Sequence, residues 1–276
     1  MLVNIVKISY KVEMSLIDTH CHLQHFLNDN TLNLVLDRAR NTGVSKIITV
    51  GTNQDDWASY YELAIKNHDI FYTIGLHPCY VDENWKNNIE RSSFYWKCSN
   101  PPIALGEIGL DYFHLPKNKI KSEKIKLDQK ESFLYQLQIA KVLNCPVVIH
   151  SRNSFEDCLN IIDQSGVNWH KIVFHCFSEG AEQIKEILKR GGRASFTGNI
   201  TYKKNSHLLD AIKTQGYEKL MIETDSPYLA PEPDRKSLNE PCRLRETFDF
   251  ISKVFDSKNL QLEEVIYSNS RDFYDL

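Results

Sequence analysis

Residues 16–22 have the sequence LIDTHCH, a short apolar run that ends in polar residues. Seven more short apolar runs follow along the chain, with stretches of helical spacing between them. Each run is bounded by turn residues, which is typical of buried parallel strands. The eight predicted strands are Leu16–His22, Lys46–Gly51, Phe71–His77, Ile103–Leu110, Pro146–His150, Lys171–Phe177, Arg193–Gly198 and Lys219–Asp225.

Apolar residues at helical spacing predict α-helices between these strands and after the last one. The predicted helices are Thr31–Asn41, Lys130–Leu143, Ser154–Gln164, Ala181–Arg190, Arg243–Phe255 and Gln261–Phe273. Eight strand–helix units in about 250 residues predict an α/β fold, the (β/α)8 or TIM barrel. The alternative is a doubly wound open sheet, which usually carries a glycine-rich phosphate loop after an early strand. The sequence contains neither GxGxxG nor GxxxxGK[ST], and so it favours the barrel.

Composition limits the classes of function. The chain has 276 residues, of which 42% are hydrophobic and 25% are charged, so disorder, collagen and coiled coil are excluded. With 33 basic and 36 acidic residues, its net charge is −3. That charge is not typical of a protein that coats nucleic acid by bulk electrostatics. Any contact with a polyanion would have to be local or carried by bound cations.

Cysteine usage and hydropathy bear on the compartment. The seven cysteines are odd in number and form no CxxC pair, which favours a reducing compartment over a disulfide framework. No segment approaches the roughly 18 apolar residues of a membrane span, and the N-terminus lacks an apolar run of signal-peptide length. We therefore expect a cytoplasmic protein with no membrane partner, and no obligate protein partner is evident.

Polar side chains collect where the predicted strands end. Asp18, His20 and His22 are spaced by two, which on a regular strand places all three on one face. Because the carboxyl ends of barrel strands meet at one mouth, we expect the strand-end ligands to converge there. Four histidines and two carboxylates suit one or two divalent metals: His20, His22, Glu107, His150, His175 and Asp225. With no Ser-His-Asp order, CxxC or HExxH to compete, the pattern predicts hydrolysis by metal-activated water.

Seven sequence blocks resemble the TatD family of metal-dependent deoxyribonucleases, and they occur in the order of that family. The resemblance covers roughly Leu16 to the C-terminus. The blocks are DTHCHL (18–23), GLHP (75–78), GEIGLDY (106–112), VVIHSR (147–152), VFHCFS (173–178), SFTG (195–198) and ETDSPYLAP (223–231).

This resemblance implies a TIM barrel of the amidohydrolase type with two divalent metal ions, Mg²⁺, Mn²⁺ or Zn²⁺. It also implies 3′→5′ exonuclease or other DNase activity, with DNA ends or short single strands as substrate. By motif, His20 and His22 would hold the first metal and Glu107 would bridge the pair. His150 and His175 would hold the second metal. Asp225 would bind the first metal and orient the attacking water or accept its proton.

Residues beside the predicted ligands are assigned to catalysis or to the substrate side. His77 would donate a proton to the leaving oxygen or contact phosphate, unless it is structural. Arg152 would grip a phosphate or form an ion pair at the rim. Tyr112 and Phe113 would stack on a base or simply pack. Glu223 is placed on the substrate side, with orientation of a ligand histidine as its other role.

Three stretches depart from the family pattern. Residues 1–13 look like an extension, and Met14 resembles a usual family start, so the predicted single barrel domain is 14–276. The segment from Asp111 to His150 looks long and contains the lysine run Lys117–Lys130. That run is either a solvated loop entering a helix or a basic lip that contacts phosphate. Leu238 stands where the family often has Arg.

Two other functions remain open. One is an amidohydrolase-like enzyme that cleaves an ester, a lactone or an amide, including removal of an aminoacyl group from tRNA. Many barrel amidohydrolases carry a metal-bridging lysine carbamate where this chain has Glu107, which favours the nuclease. The other is a non-enzymatic scaffold that has kept its metal site, and the intact ligand set argues against it.

Overall fold

The computed structural model describes residues 15–256 and 259–276. Within them the predicted (β/α)8 barrel is confirmed. The predicted extension, residues 1–13, and the proposed start at Met14 lie outside the described residues.

Eight parallel strands pair in chain order. They are β1 (Leu16–Cys21), β2 (Val44–Thr49), β3 (Ile70–Ile74), β4 (Ala104–Asp111), β5 (Val147–Arg152), β6 (Ile172–Phe174), β7 (Arg193–Phe196) and β8 (Met221–Ile222). The barrel closes beyond the end of β8, where the amide of Asp225 donates to the carbonyl of His20 and the amide of His22 donates to Ser226. The loop after β8 is therefore fixed directly against β1.

Helices follow or separate the strands. They are α1 (Gln24–Asn28), α2 (Leu32–Asn41), α3 (Gln54–Lys66), α4 (Trp85–Glu90), α5 (Lys119–Leu143), α6 (Phe155–Ser165), α7 (Ala181–Arg190), α8 (His207–Gln215), α9 (Leu244–Val254) and α10 (Asn259–Tyr274). Helix α5 begins eleven residues before the predicted Lys130, so most of the lysine run is helical. Among the helices described, none is both long enough and apolar enough to cross a membrane.

An apolar cluster fills the barrel below its mouth. Ile17, Ile48, Val148, Val173 and Met221 belong to one buried cluster, although their strands are spread around the barrel. Only the barrel interior can bring such residues together, and aliphatic side chains are the usual filling there. Phe273 and Tyr274 from α10 join the same cluster, so the end of the chain packs against the barrel core.

A buried carboxyl group at the start of α3 makes stability depend on pH. Asp56 Oδ2 accepts hydrogen bonds from the amide and the hydroxyl of Thr52, at 2.9 and 2.7 Å. Asp56 Oδ1 is buried and has no partner among the described residues. Burial raises the pKa of Asp56 to about 6, against an ordinary value of 3.8. The folded state therefore holds the proton more tightly than the unfolded state, and this stabilisation is lost as the pH rises through 6.

Replacing Asp56 by Asn should consequently change the stability of the fold more favourably at high pH than at low pH. The free energy of unfolding of Asp56→Asn relative to wild type should rise by about 1.4 kcal/mol between pH 5 and pH 8. Urea unfolding of the metal-free protein at both values measures this difference. The solvent-facing neighbour provides the control, Asp55→Asn, which should change by much less. If the free energy of unfolding changed equally with pH in the two variants, Asp56 would have to be ionised throughout this range.

Candidate metal centre

Six predicted ligands lie together at the carboxyl ends of the strands. His20 is the fifth residue of β1 and His22 directly follows that strand. The others come from β4, from β5 and from the loops after β6 and β8: Glu107, His150, His175 and Asp225. Their donor atoms form two groups, one on each oxygen of the Glu107 carboxylate.

The first group surrounds Glu107 Oε2. His20 Nε2 and His22 Nε2 lie 3.4 Å apart, and they lie 3.4 and 3.8 Å from Glu107 Oε2. Asp225 Oδ1 completes the group at 3.7 Å from His20 Nε2 and 3.4 Å from His22 Nε2. Four nitrogen or oxygen ligands at about 2.0–2.2 Å from a tetrahedral ion lie about 3.3–3.6 Å from one another. The spacing of the first group therefore fits a divalent ion.

The second group surrounds Glu107 Oε1. His150 Nδ1 and His175 Nε2 each lie 2.7 Å from this oxygen and 3.4 Å from each other. The two short contacts are hydrogen bonds, so a cation would enter by replacing their protons and widening them by about half an ångström. Imidazole and carboxylate donors suit zinc and also other divalent ions. The residues present thus fit a second ion, with Glu107 able to contact both.

Burial opposes charge at the centre, and the pairing of opposite charges offsets this effect. Burial would raise the pKa of Glu107, but the facing His175 and His77 and the hydrogen bonds from His150 and His175 hold it well below its usual range. Burial opposes the charged form of His175 as well, yet its pKa is raised because Glu107 lies opposite. Burial and the charge of His175 lower the pKa of His20, whose neutral ring is the form that binds a metal.

Asp18 does not join the two histidines of its strand. Its carboxylate accepts from the amide and the hydroxyl of Thr224, at 2.9 and 2.6 Å. The pairing of β1 with β2 shifts register between Asp18 and Cys21. Such an irregularity breaks the two-residue alternation and re-aims side chains next to active sites. The prediction that Asp18, His20 and His22 share a face is therefore wrong for Asp18, which instead binds the loop that carries Asp225.

Asp111 orients His150, a role that the sequence reasoning missed. Asp111 Oδ2 lies 3.1 Å from His150 Nε2, on the side of the ring opposite Glu107. This contact leaves the proton on Nε2 and turns Nδ1 toward the centre, as carboxylate partners of metal-binding histidines do. Asp111 is buried at the end of β4. Its place in the strand-end block GEIGLDY was the available signal.

Glu223 lies beneath the centre and not on its substrate side. It is only 1% exposed, and its carboxylate accepts from the Ser195 hydroxyl and from the Cys176 amide, both at 2.6 Å. Its Oε1 lies 3.5 Å from His175 Nδ1. The placement of Glu223 as a substrate contact is therefore corrected, and the geometry favours the other role considered, holding His175 and its loop.

His77 presents a hydrogen-bond donor to the second group. Its Nδ1 accepts from the amide of Cys79 at 3.1 Å, so the ring proton lies on Nε2, 3.5 Å from Glu107 Oε1. Burial and the neighbouring His150 lower the pKa of His77 to about 3, and the ring is neutral at physiological pH. This arrangement suits a hydrogen bond to a phosphate or leaving oxygen, and not a charged general acid.

The remaining predicted substrate residues lie at the rim. The Tyr112 hydroxyl donates to Asp157 Oδ2 at 2.6 Å, and Lys126 covers its ring at 5.1 Å, so Tyr112 is directed toward α6 and away from the centre. Arg152 is exposed and stacks on Phe113, with its guanidinium carbon 4.0 Å from the ring centroid. Among the described residues Arg152 has no carboxylate partner, so the ion pair considered for it is not formed.

Two exposed tyrosines flank the centre, and sequence reasoning did not single them out. The Tyr228 ring lies 6.1 Å from that of His22, and the Tyr80 ring lies 6.2 Å from that of His77. Their exposed fractions are 61% and 53%. Asn239 fixes the Tyr228 carbonyl by a 2.7 Å hydrogen bond. Large exposed rings at a site mouth offer surfaces on which a flat ligand group can stack.

Known proteins share this fold and this sequence pattern. The family model described as TatD related DNase matches residues 17–275. YcfH of Escherichia coli strain K12, an uncharacterized metal-dependent hydrolase, is 30% identical over 263 residues, covering 94% of each chain. YabD of Bacillus subtilis strain 168, described in the same way, is 32% identical over 254 residues, or 91% of this chain and 94% of that one. The crystal structure of YjjV, a TatD homolog from E. coli K12, has a TM-score of 0.85 at 24% identity and covers 95% of this chain and 98% of its own.

The barrel, the histidine and carboxylate groups at its mouth and these relatives define a metal-dependent hydrolase. The family match extends over almost the whole chain. The chain belongs to the TatD family of related DNases. The resemblance drawn from the seven sequence blocks is thereby confirmed.

Proposed function

We propose that this chain hydrolyses phosphodiester bonds of DNA, removing nucleotides from the 3′ end with the help of two divalent cations. The carboxylate of Glu107 supports this best, because its two oxygens face two separate ligand groups. A carboxylate with one oxygen in each ligand group could contact both cations, and a pair of cations would stabilise the attacking and leaving oxygens of a displacement at phosphorus. The cations, when bound, would activate water and polarise the phosphoryl oxygen.

The side chains at the centre have distinct tasks in this reaction. The residues that would hold the cations are Glu107, His20, His22, His150, His175 and Asp225. Asp225 uses Oδ1 within the first group, which leaves Oδ2 to accept the proton of the attacking water. His77 donates its Nε2 proton in a hydrogen bond to an oxygen of the phosphate. Arg152, exposed and without a carboxylate partner among the described residues, binds a neighbouring phosphate.

Single-stranded ends are the DNA form that suits the rim. Tyr80 and Tyr228 stand beside the two ligand groups, so a nucleotide on either side of the scissile phosphate finds an exposed ring. Bases in a single strand have free faces for such stacking, and stacking tolerates any sequence. The overall charge of −3 offers no broad attraction for duplex DNA, so binding depends on local contacts and on the cations.

Removal of the Tyr228 ring should weaken substrate binding more than it slows turnover. For Tyr228→Ala we expect KM for a short single strand to rise about tenfold, because stacking contributes roughly 1–3 kcal/mol per base. Tyr228→Phe should retain the low KM. Tyr217→Ala is the matched control, since Tyr217 is 46% exposed but precedes β8, at the end of that strand opposite the mouth, where it packs on Phe255. An unchanged KM in Tyr228→Ala would remove this tyrosine from the binding surface.

The function is tested with a single-stranded oligonucleotide labelled at its 5′ end and incubated with Mg²⁺, Mn²⁺ or Zn²⁺. We expect a ladder of products shortened from the 3′ end, and EDTA should abolish it. The same assay with a 3′ label should release the label as a mononucleotide. An intact oligonucleotide with every metal, combined with hydrolysis of aminoacyl-tRNA or of a simple ester, would replace the nuclease by the amidohydrolase-like alternative.

A further inference from the structure

A third group of metal-binding atoms lies beside the two around Glu107. Cys79, Asp111 and His114 each offer one ligand atom, and these atoms lie within 4.8 Å of one another. Cys79 Sγ is 3.9 Å from His114 Nδ1, and His114 Nδ1 is 2.8 Å from Asp111 Oδ2. We propose that these three residues form a separate binding site for a soft divalent cation such as Zn²⁺, here called the cysteine site.

The spacing of the cysteine site matches the ion. For a tetrahedral Zn²⁺ with Zn–S of about 2.3 Å and Zn–N of about 2.0–2.1 Å, the sulfur and the nitrogen lie about 3.6 Å apart. The observed 3.9 Å needs only a small adjustment. Cys79 and His114 are exposed residues in the short turns that follow β3 and β4, and both can make it. Remaining coordination positions face solvent and can be filled by water.

Asp111 has an acceptor position left for the cation. Its Oδ1 accepts from the amides of Phe113 and His114, each at 2.9 Å. Its Oδ2 accepts from His150 Nε2 and contacts His114 Nδ1. A carboxylate offers about four lone-pair positions, so a cation between Asp111 and His114 replaces only the contact between those two side chains. Binding therefore leaves the contact that orients His150 in place.

The ligand chemistry separates the cysteine site from the first two groups. Those groups contain only imidazole and carboxylate donors, which bind hard and borderline ions alike. A thiolate adds preference for softer ions such as Zn²⁺ and Cd²⁺ over Mg²⁺. Cys79 follows the block GLHP and His114 lies two residues beyond GEIGLDY, so both fall outside the blocks that resemble the family.

Cobalt provides a test that does not depend on activity. Co²⁺ bound by a thiolate produces a charge-transfer band in the near ultraviolet, which imidazole and carboxylate ligands do not. Titration of the reduced protein should give this band, and Cys79→Ser should abolish it. Cys98→Ser is the matched control, because Cys98 is partly exposed and its thiol donates a hydrogen bond to the carbonyl of Phe94. The control should keep the full band, and His114→Ala should lower the affinity for Co²⁺ by more than about tenfold.

Zinc content gives a second measurement on the same proteins. After equilibrium dialysis against Zn²⁺, Cys79→Ser should hold one ion fewer per chain than wild type and than Cys98→Ser. Unfolding curves of the three proteins establish that the variants are folded. Absence of the band in wild type, its persistence in Cys79→Ser, or equal zinc content in all three would overturn the cysteine site. None of these outcomes depends on whether DNA is the substrate.

Discussion

Glu107→Gln is expected to lower the rate of DNA hydrolysis by at least about 10³-fold, the equivalent of roughly 4 kcal/mol. The substitution keeps the shape of the side chain but turns one of its two oxygens into an NH₂ group. Because Oε1 and Oε2 face different ligand groups, either orientation of the amide presents a donor to one of them. One cation then loses its carboxylate ligand and meets a repelling N–H group in its place.

Metal content should fall together with activity in this variant. Elemental analysis after dialysis should find at least one ion fewer per chain at the Glu107 groups than in wild type. Glu182→Gln makes the same chemical change on an exposed carboxylate, 78% accessible on α7, and should alter neither metal content nor rate. Full activity in Glu107→Gln would mean that the hydrolysis comes from a contaminating nuclease or from a different site on this chain.

The strand-end ligands could be predicted because barrel geometry connects sequence position to space. A polar residue after an apolar run faces the mouth, whatever the exact strand boundary is. Strand β6 is only Ile172–Phe174 and β8 only Met221–Ile222, shorter than predicted. His175 and Asp225 nevertheless lie at the mouth, because the loops that carry them are held by backbone hydrogen bonds from His175 to Ile149 and from Asp225 to His20.

Residues that support the ligands could not be predicted from the same pattern. Asp18 was placed by the two-residue alternation of regular strands, which fails where β1 shifts register. Glu223 was placed on the substrate side, but its carboxylate is buried against Ser195 and Cys176. Asp111 contacts His150 across a strand pair, with Gly109 opposite His150 in the register of β4 and β5. Such relations depend on local shifts of register, which the two-residue alternation of a regular strand does not indicate.

Substrate contacts were the least predictable part of the site. Tyr112 follows a strand end, as the ligands do, but Asp157 and Lys126 direct it toward α6. Tyr80 and Tyr228 lie in loops, where their exposure depends on how each loop is fixed. Loops carry much of the binding surface in barrel enzymes, and their conformation follows from tertiary contacts more than from local sequence.

The backbone of Gly109 lies too close to the backbone of His150 to leave room for a side chain. Gly109 in β4 has φ of +144°, which side-chain-bearing residues rarely adopt. A Cβ added there would lie 2.0 Å from the carbonyl oxygen of His150 and 2.9 Å from its carbonyl carbon. Both atoms are backbone, so the strain cannot be relieved by rotation of a side chain. Strand β5, and with it the His150 ring, would have to move away from β4.

Gly109→Ala should therefore destabilise the fold and disrupt the second ligand group together. Backbone strain and overpacking suggest about 3–6 kcal/mol, or a fall in Tm of about 10 °C or more. Well below that Tm, the displaced His150 should still weaken binding of a cation to the second ligand group. Metal content and the rate of hydrolysis should therefore fall even in protein that circular dichroism shows to be folded. Gly180→Ala is the control, because its Cβ would meet only the Gln183 side chain at 3.4 Å, and it should cost less than about 1 kcal/mol. A Gly109→Ala protein with the Tm and metal content of wild type would show that β4 can reshape without moving His150, and that the close approach of the two strands is not what positions the ring.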